Sequence, residues 1–341
     1  MKFRNKSKQQ RLRDRVIVIT GASSGIGLAT ARKAAARGAR VVLSARNEED
    51  LRKIMNEIRD AGGQATYAVA DVADPAAVDR IADTAIREFG GFDTWINNAG
   101  IGVYGRLTEV PLEDKRQLFD TNFWGVVNGC RTAVKHLRER GGAIINIGSL
   151  VSDRTMPLLG IYSASKQAVQ GYTDGLRMEL EHDGVPISVT LVKPGSVNTP
   201  FVDHSRNYME EAPYYAPPVY APDVVAEAIV RCVEKPVREI TIGGGPRLMA
   251  IVGKFAPRTM DRYMEATMFR AQQDPERQTS ASDSLDSPSA GGRERGPYRG
   301  MVRGSSAYTT AMLSDVTRAL PYIAAAAVIA AGVRRWSGRA A

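Results

Sequence analysis

A chain of 341 residues with 43% apolar and 24% charged residues can bury the core of one large domain or two small ones, which excludes a natively disordered chain. Its net charge of +9 sits at the ends: residues 1–15 hold +6 (Lys2, Arg4, Lys6, Lys8, Arg11, Arg13 and Arg15 against Asp14), residues 270–341 hold +4, and the middle is near −1 by difference. Basicity confined to the ends argues against a nucleic-acid-binding fold and leaves ends that can touch an anionic membrane surface.

The two cysteines, Cys130 and Cys232, lie in apolar helical stretches and read as buried thiols in a reducing compartment. No Cys/His spacing points to a metal, and the basic N-terminus lacks the apolar run of a secretory signal, so a cytoplasmic location is expected. In chain order, residues 1–14 read as a basic flexible arm. Short β-branched runs follow at Val16–Thr20, Arg40–Ser44, Ala65–Val69, Thr94–Ile96, Ala143–Ile147, Ile187–Val192 and Glu239–Ile242, with amphipathic helical stretches between them. That alternation predicts an α/β domain over 15–245: a doubly wound, Rossmann-type parallel sheet of about seven strands with helices on both faces.

The first strand runs directly into Thr20-Gly21-Ala22-Ser23-Ser24-Gly25-Ile26-Gly27 and then a helix. Glycines there let the backbone approach a diphosphate, and the helix N-terminus offers it free N–H groups. The second strand ends in Ser44-Ala45-Arg46, with no acid to bind a ribose 2′-hydroxyl and an arginine able to pair with a 2′-phosphate, so NADP(H) is expected. Asp71 and Val72, after the third strand, lie beside the adenine or, for Asp71, cap the next helix. Tyr162 and Lys166 stand at i, i+4 on one helical face, where an ammonium can lower the phenol's pKa toward neutrality. Ser149 follows the fifth strand, thirteen residues before Tyr162; Ser152 is the rival hydroxyl, and the offset favours Ser149. Tyr172 has no lysine at i+4 and reads as packing, while His136, His182 and His204 belong to no constellation and read as surface residues.

Residues 201–221 form a long loop carrying Tyr208, Tyr214, Tyr215 and Tyr220, either pocket-lining or exposed on a lid. Residues 246–270 read as a helical extension and 271–306 as a polar linker. Within an apolar C-terminal helix expected over 307–341, Ala319–Val333 is uncharged; a helix of that length spans roughly 22 Å, short of a ~30 Å hydrocarbon core. A docked or surface helix and a short tail anchor both stand, the second because Trp336, Arg334 and Arg335 flank it.

Taken together, these motifs resemble the short-chain dehydrogenase/reductase family over roughly residues 14–245. Residues 20–27 match its Thr-Gly-x-x-x-Gly-x-Gly turn, Asn97-Asn98-Ala99-Gly100 its Asn-Asn-Ala-Gly motif, and Pro194-Gly195-Ser196-Val197-Asn198-Thr199 its segment beside the nicotinamide. Asn122, Ser149, Tyr162 and Lys166 fall on its catalytic tetrad. The resemblance implies that Tyr162 exchanges a proton with the carbonyl oxygen and Ser149 holds that oxygen. Lys166 would bind the nicotinamide ribose and tune Tyr162, and Asn122 would hold a relay water. Thr199 would contact the nicotinamide amide and Asn98 would support the pocket. Gly21, Ser23, Ser24, Gly25, Ile26, Gly27, Arg46, Asp71, Val72, Asn98, Ala99, Gly100, Tyr162, Lys166, Pro194, Gly195, Val197 and Thr199 would line the cofactor, with no metal. It further implies a homodimer or homotetramer through the helices near 111–138 and 161–183. The extension suggests an apolar small-molecule carbonyl or alcohol as substrate. A 3-oxoacyl reductase-like activity, or a non-catalytic NADP(H)-binding sensor or scaffold, are the alternatives.

Overall fold

The computed structural model describes residues 12–277 and 283–314. Most of the expected basic arm (residues 1–11) and the apolar segment 319–333 lie outside the described residues. The arm's last residues are docked: Leu12–Asp14 form one 3-10 turn, and Leu12 is buried in the core.

All seven expected strands are present, with ends moved by two residues at most: β1 (Val16–Thr20), β2 (Arg40–Ala45), β3 (Gln64–Val69), β4 (Thr94–Asn97), β5 (Gly142–Ile147), β6 (Ile187–Pro194) and β7 (Glu239–Ile242). They form one sheet in the order β7-β6-β5-β4-β1-β2-β3, every pair parallel. Chain direction across the sheet reverses between β1 and β4, so the crevice above their carboxyl ends is where a ligand fits. Along β1 the side chains alternate. Ile17 and Ile19 face a layer with α1 (Gly25–Ala36), α2 (Glu48–Asp60) and α7 (Pro222–Glu234). Val16 and Val18 face the layer of α3 (Pro75–Phe89), α5 (Gly125–Leu137) and α6 (Gly160–His182). Both faces being covered explains why the strands read as unbroken apolar runs. Cys130 and Cys232 are both buried in these layers.

A buried polar ladder fixes α6 to the sheet. Trp95 Nε1 donates to Asn97 Oδ1 at 2.7 Å, Asn97 Nδ2 to Asn146 Oδ1 at 2.8 Å, and Asn146 Nδ2 to Thr173 Oγ1 at 2.9 Å. Breaking one link strands a buried polar group, at about 1–3 kcal/mol.

A further helix, α4 (Leu112–Phe119), precedes α5, and the helical extension is present as α8 (Gly244–Phe255) and α9 (Pro257–Ala271). Met260, Met264 and Met268, spaced four apart on α9, pack over Val151, Met156 and Leu159. The expected linker is not one over its described part. Residues 283–306 lie against the domain, Leu285 is 2% exposed, and Val302–Arg303 pairs with Val219–Tyr220, which in turn pairs with Ser196–Val197. Several of its backbone and side-chain polar groups bond to the domain. A last short helix, α10 (Ala307–Leu313), is capped by Ser306 and meets the end of β7 where Gly243 N–H donates to Thr309 Oγ1 at 3.1 Å. Among the described residues no helix is long and apolar enough to cross a membrane.

Candidate dinucleotide and carbonyl site

The turn after β1 is shaped by glycines. Gly21 and Gly25 have φ of +66° and +55°, and a Cβ on Gly27 would run into the Gly21 carbonyl and the Asn98 side chain. Asn98 locks the turn, its Nδ2 donating to the carbonyls of Thr20 at 2.9 Å and Gly21 at 3.1 Å. Thr20 Oγ1 accepts from the N–H groups of Asn98 and Ala99, both at 3.1 Å. The Asn-Asn-Ala-Gly motif after β4 is thereby bolted to the turn after β1. The first-turn N–H groups of α1 have no acceptor within the helix by position, which suits a diphosphate. The cradle fits a dinucleotide: backbone amides and Ser23, Ser24 and Ile26 on one side, Pro194, Gly195, Val197 and Thr199 on the other, around one cavity.

At the end of the cavity beyond β2, Arg46 stands 4.0 Å from Asp71 and donates to the carbonyls of Ser284, Leu285 and Ser287. The two readings of Asp71 separate here. The cap of α3 is Asp74, which accepts from Ala76 N–H at 2.9 Å, whereas Asp71 accepts from Ala73 N–H in its own turn and lines the cavity with Val72.

At the other end Ser149 and Ser152 also separate. Ser152 Oγ accepts from Ser149 N–H at 3.2 Å and donates to the Lys166 carbonyl at 2.8 Å, so it is spent on structure. Ser149 caps the same turn, and its hydroxyl stands close enough to the Tyr162 phenol to lower that group's pKa. The Tyr162 ring lies 5.3 Å from that of Phe201. Burial pushes the Tyr162 phenol up to about 12, the neighbouring Ser149 hydroxyl opposing it only in part. Burial likewise brings Lys166 down to about 8. The expected lowering of the phenol by its lysine is therefore not met here. Desolvation favours the neutral form of both groups, and Lys166 Nζ is 5.8 Å from the ring centre, turned onto the Ile147 carbonyl at 2.9 Å.

Asn122 is fully buried in a widened π turn, Asp120–Trp124, between α4 and α5. Its Oδ1 accepts from Ile101 N–H at 2.8 Å, and its Nδ2 donates to the Ile101 carbonyl at 3.0 Å and to Ser165 Oγ at 3.2 Å. A Cβ on Gly100 would sit 3.3 Å from Asn122 Oδ1 and 3.5 Å from Lys166 Nζ, which places Gly100 between them. Every site residue expected from the sequence lines the one cavity except Gly27 and Asn122, which stand directly behind its wall.

Sequence reasoning missed part of the lining. Met156, Leu159 and Phe201 make the end of the cavity beside Tyr162 apolar, and Ser284, Pro288 and Ser289 come from the segment read as a linker. The loop tyrosines divide: Tyr214 and Tyr215 line the cavity, Tyr208 donates to Asp114, and Tyr220 is buried in the core. His204, expected at the surface, is a correction. It lines the cavity, and its pKa is lowered by burial against a bond to the Ala290 backbone. His182 is exposed, and His136 is half-buried against Phe92. Tyr172 packs edge-on against Phe123.

Comparison with known proteins agrees with this arrangement. The family model described as short chain dehydrogenase matches residues 15–210. The chain is 43% identical over 339 residues to "Uncharacterized oxidoreductase YxnA" of Bacillus subtilis, covering 98% of this chain and 93% of that one. It is 32% identical over 284 residues to 11-beta-hydroxysteroid dehydrogenase A of Sesamum indicum, covering 80% of each. Among solved structures, a short-chain dehydrogenase/reductase from Burkholderia phymatum in complex with NAD superposes with a TM-score of 0.63 at 27% identity, over 78% of this chain and 98% of that one. An alcohol dehydrogenase from Thermococcus sibiricus complexed with 5-hydroxy-NADP gives 0.59 at 30% identity, over 67% and 95%. The chain belongs to the short-chain dehydrogenase/reductase family of oxidoreductases.

Proposed function

We propose that this protein is an NADP(H)-dependent oxidoreductase that interconverts a carbonyl and a secondary alcohol on an apolar small molecule, with Tyr162 as general acid and base. The observation that carries the reading is that Ser149, Tyr162 and Lys166 line the same cavity as the turn Gly21–Ile26. When bound, the dinucleotide supplies or accepts a hydride at the substrate carbon. In reduction Tyr162, a neutral phenol held up by burial, gives its proton to the substrate oxygen while Ser149 holds that oxygen by a hydrogen bond. Lys166 binds the ribose hydroxyls, and Asn122 fixes the Ile101 backbone and the relay behind Lys166.

Arg46 is the group for a 2′-phosphate: a partly exposed guanidinium at the end of β2, with no acid at Ala45. An apolar substrate follows from the Met156, Leu159 and Phe201 wall and agrees with the activity for which the hydroxysteroid dehydrogenase relative is named. Trp124 on the π turn and Met178 on α6 are 52% and 59% exposed, apolar surface that a second copy of the chain would cover in a homodimer or homotetramer.

The test is to titrate the purified protein with NADPH and NADH and to follow nicotinamide absorbance against a panel of apolar ketones. NADPH binding with turnover supports the reading; absence of turnover on every member, with dinucleotide bound, counts against it.

A further inference from the structure

Residues 283–303 cross the dinucleotide wall from end to end. Leu285 is seated in an apolar socket with Ile101, Val103, Val110 and Leu118, and its carbonyl accepts from Gln117 Nε2 at 2.8 Å. Arg206 holds the residues beside it, pairing with Asp283 at 2.8 Å and with Asp286. The chain then passes over Arg46, which donates to three successive parts of it, and over the phosphate turn. There Gly292 N–H donates to the Ser23 carbonyl at 2.8 Å, and Gly25 N–H to the Arg293 carbonyl at 3.0 Å. Asp50, on α2, accepts from Gly291 N–H at 2.8 Å. It leaves past the opposite wall, where Gly296 N–H donates to the Asn198 carbonyl at 3.2 Å, and is tied down again by the Val302–Arg303 strand pair.

The seat is built for close approach. A Cβ on Gly291 would lie 2.7 Å from the Ser23 carbonyl oxygen and 2.8 Å from Asp50 Oδ2, and one on Gly296 would run into the Thr199 carbonyl and the Tyr215 hydroxyl. A glycine at each crossing lets backbone lie on backbone at the two ends of the diphosphate channel. Between Leu285 and Tyr298, whose ring packs against Tyr214 and Tyr215 at 5.3 and 5.5 Å, no residue is a buried apolar one, so residues 286–297 are held by hydrogen bonds and surface ion pairs such as Arg32–Glu294 at 2.7 Å. Such contacts are individually weak, and a segment held only by them opens at low cost.

We propose that residues 286–296 are a cover over the diphosphate and adenosine of the dinucleotide, pinned at Leu285 and at Val302–Arg303, and that the dinucleotide enters and leaves only when this cover lifts. The cover is then part of the cofactor-binding site, contributed by the C-terminal extension. Its Ser287 carbonyl shares the Arg46 guanidinium with any 2′-phosphate, so cofactor binding and cover position are coupled. This rests on reading Ser23–Gly27 and Arg46 as the dinucleotide wall.

The experiment compares the full chain with Gly291→Ala, whose methyl group wedges the cover off Ser23, and with Glu294→Ala, which releases it from Arg32 without adding an atom. Association and dissociation of NADPH and of NADH are followed by stopped-flow nicotinamide fluorescence, with the melting temperature as a check on folding. Loss of two seat hydrogen bonds predicts dissociation faster by roughly tenfold in Gly291→Ala, and faster to a smaller extent in Glu294→Ala. Association is expected to rise as well, with the melting temperature unchanged. Unchanged rates in Glu294→Ala and in folded Gly291→Ala overturn the cover alone. Faster dissociation with slower association overturns it too, because that describes a damaged wall. Failure of all three proteins to bind either dinucleotide overturns the cover together with the cofactor reading.

Discussion

Lys166 and Tyr162 share one face of α6, with the Lys166 Nζ 5.8 Å from the centre of the Tyr162 ring and bonded to the Ile147 carbonyl at 2.9 Å. The lysine thus ties the helix carrying Tyr162 to the end of β5; Lys166 is buried and Tyr162 is half-buried at the cavity wall. Their shifts, the phenol up to about 12 and the ammonium down to about 8, have burial as their main cause.

The lysine shift predicts a pH dependence of stability. Its folded pKa lies below the ordinary value of 10.5, so between about 8 and 10.5 the unfolded chain holds a proton that the folded chain has released. Stability therefore rises with pH across that window, and the burial cost is fully present below it. Relative to Lys166→Met, the unaltered protein should gain on the order of 1.4 kcal/mol per pH unit above pH 8. Urea unfolding of both proteins at pH 7, 8.5 and 9.5 checks this; a constant difference would contradict it.

Arg46→Ala should weaken NADPH binding by roughly 10- to 100-fold, the worth of charge-assisted hydrogen bonds to a phosphate, and leave NADH binding nearly unchanged. Equilibrium fluorescence titration with both dinucleotides measures the ratio. An equal loss for the two would mean that Arg46 acts through the Ser284, Leu285 and Ser287 carbonyls and not on a 2′-phosphate.

Gly27→Ala places a methyl group against the Gly21 carbonyl and the Asn98 side chain, which hold the turn. Neither can yield without breaking the Asn98 bonds. The variant should lose about 1–3 kcal/mol of stability and most of its dinucleotide affinity. Calorimetry with and without NADPH tests both: the melting-temperature rise that NADPH gives the unaltered protein should vanish in the variant.

The fold was legible because each strand is a short β-branched run between amphipathic stretches, and both covered faces leave no polar alternation to confuse it. The site was legible where its chemistry is local: the Gly21–Gly27 turn, Asn97–Gly100, Ser149 and Tyr162–Lys166 each sit at one strand end or one helix start. What escaped depends on distance or on backbone. Residues 283–303 hold the domain through carbonyls and N–H groups, which have no letter of their own, so Gly291 and Gly292 read as flexibility when Gly291 marks a close approach. Arg206 finds Asp114 and Asp283 from 92 and 77 residues away. His204 is a cavity residue only because that segment lies over it. The direction of the Tyr162 shift was also invisible, since i, i+4 spacing gives a neighbour but not the depth of its burial.

The central claim is that Tyr162 moves the proton, and the most direct test is Tyr162→Phe, which removes one hydroxyl and keeps the ring against Phe201. On an apolar ketone that the unaltered protein reduces, turnover should fall by about 10²–10⁴-fold or more while NADPH affinity stays within a few-fold. Turnover within tenfold of the unaltered protein would contradict the account and send the search for the proton donor elsewhere in the cavity.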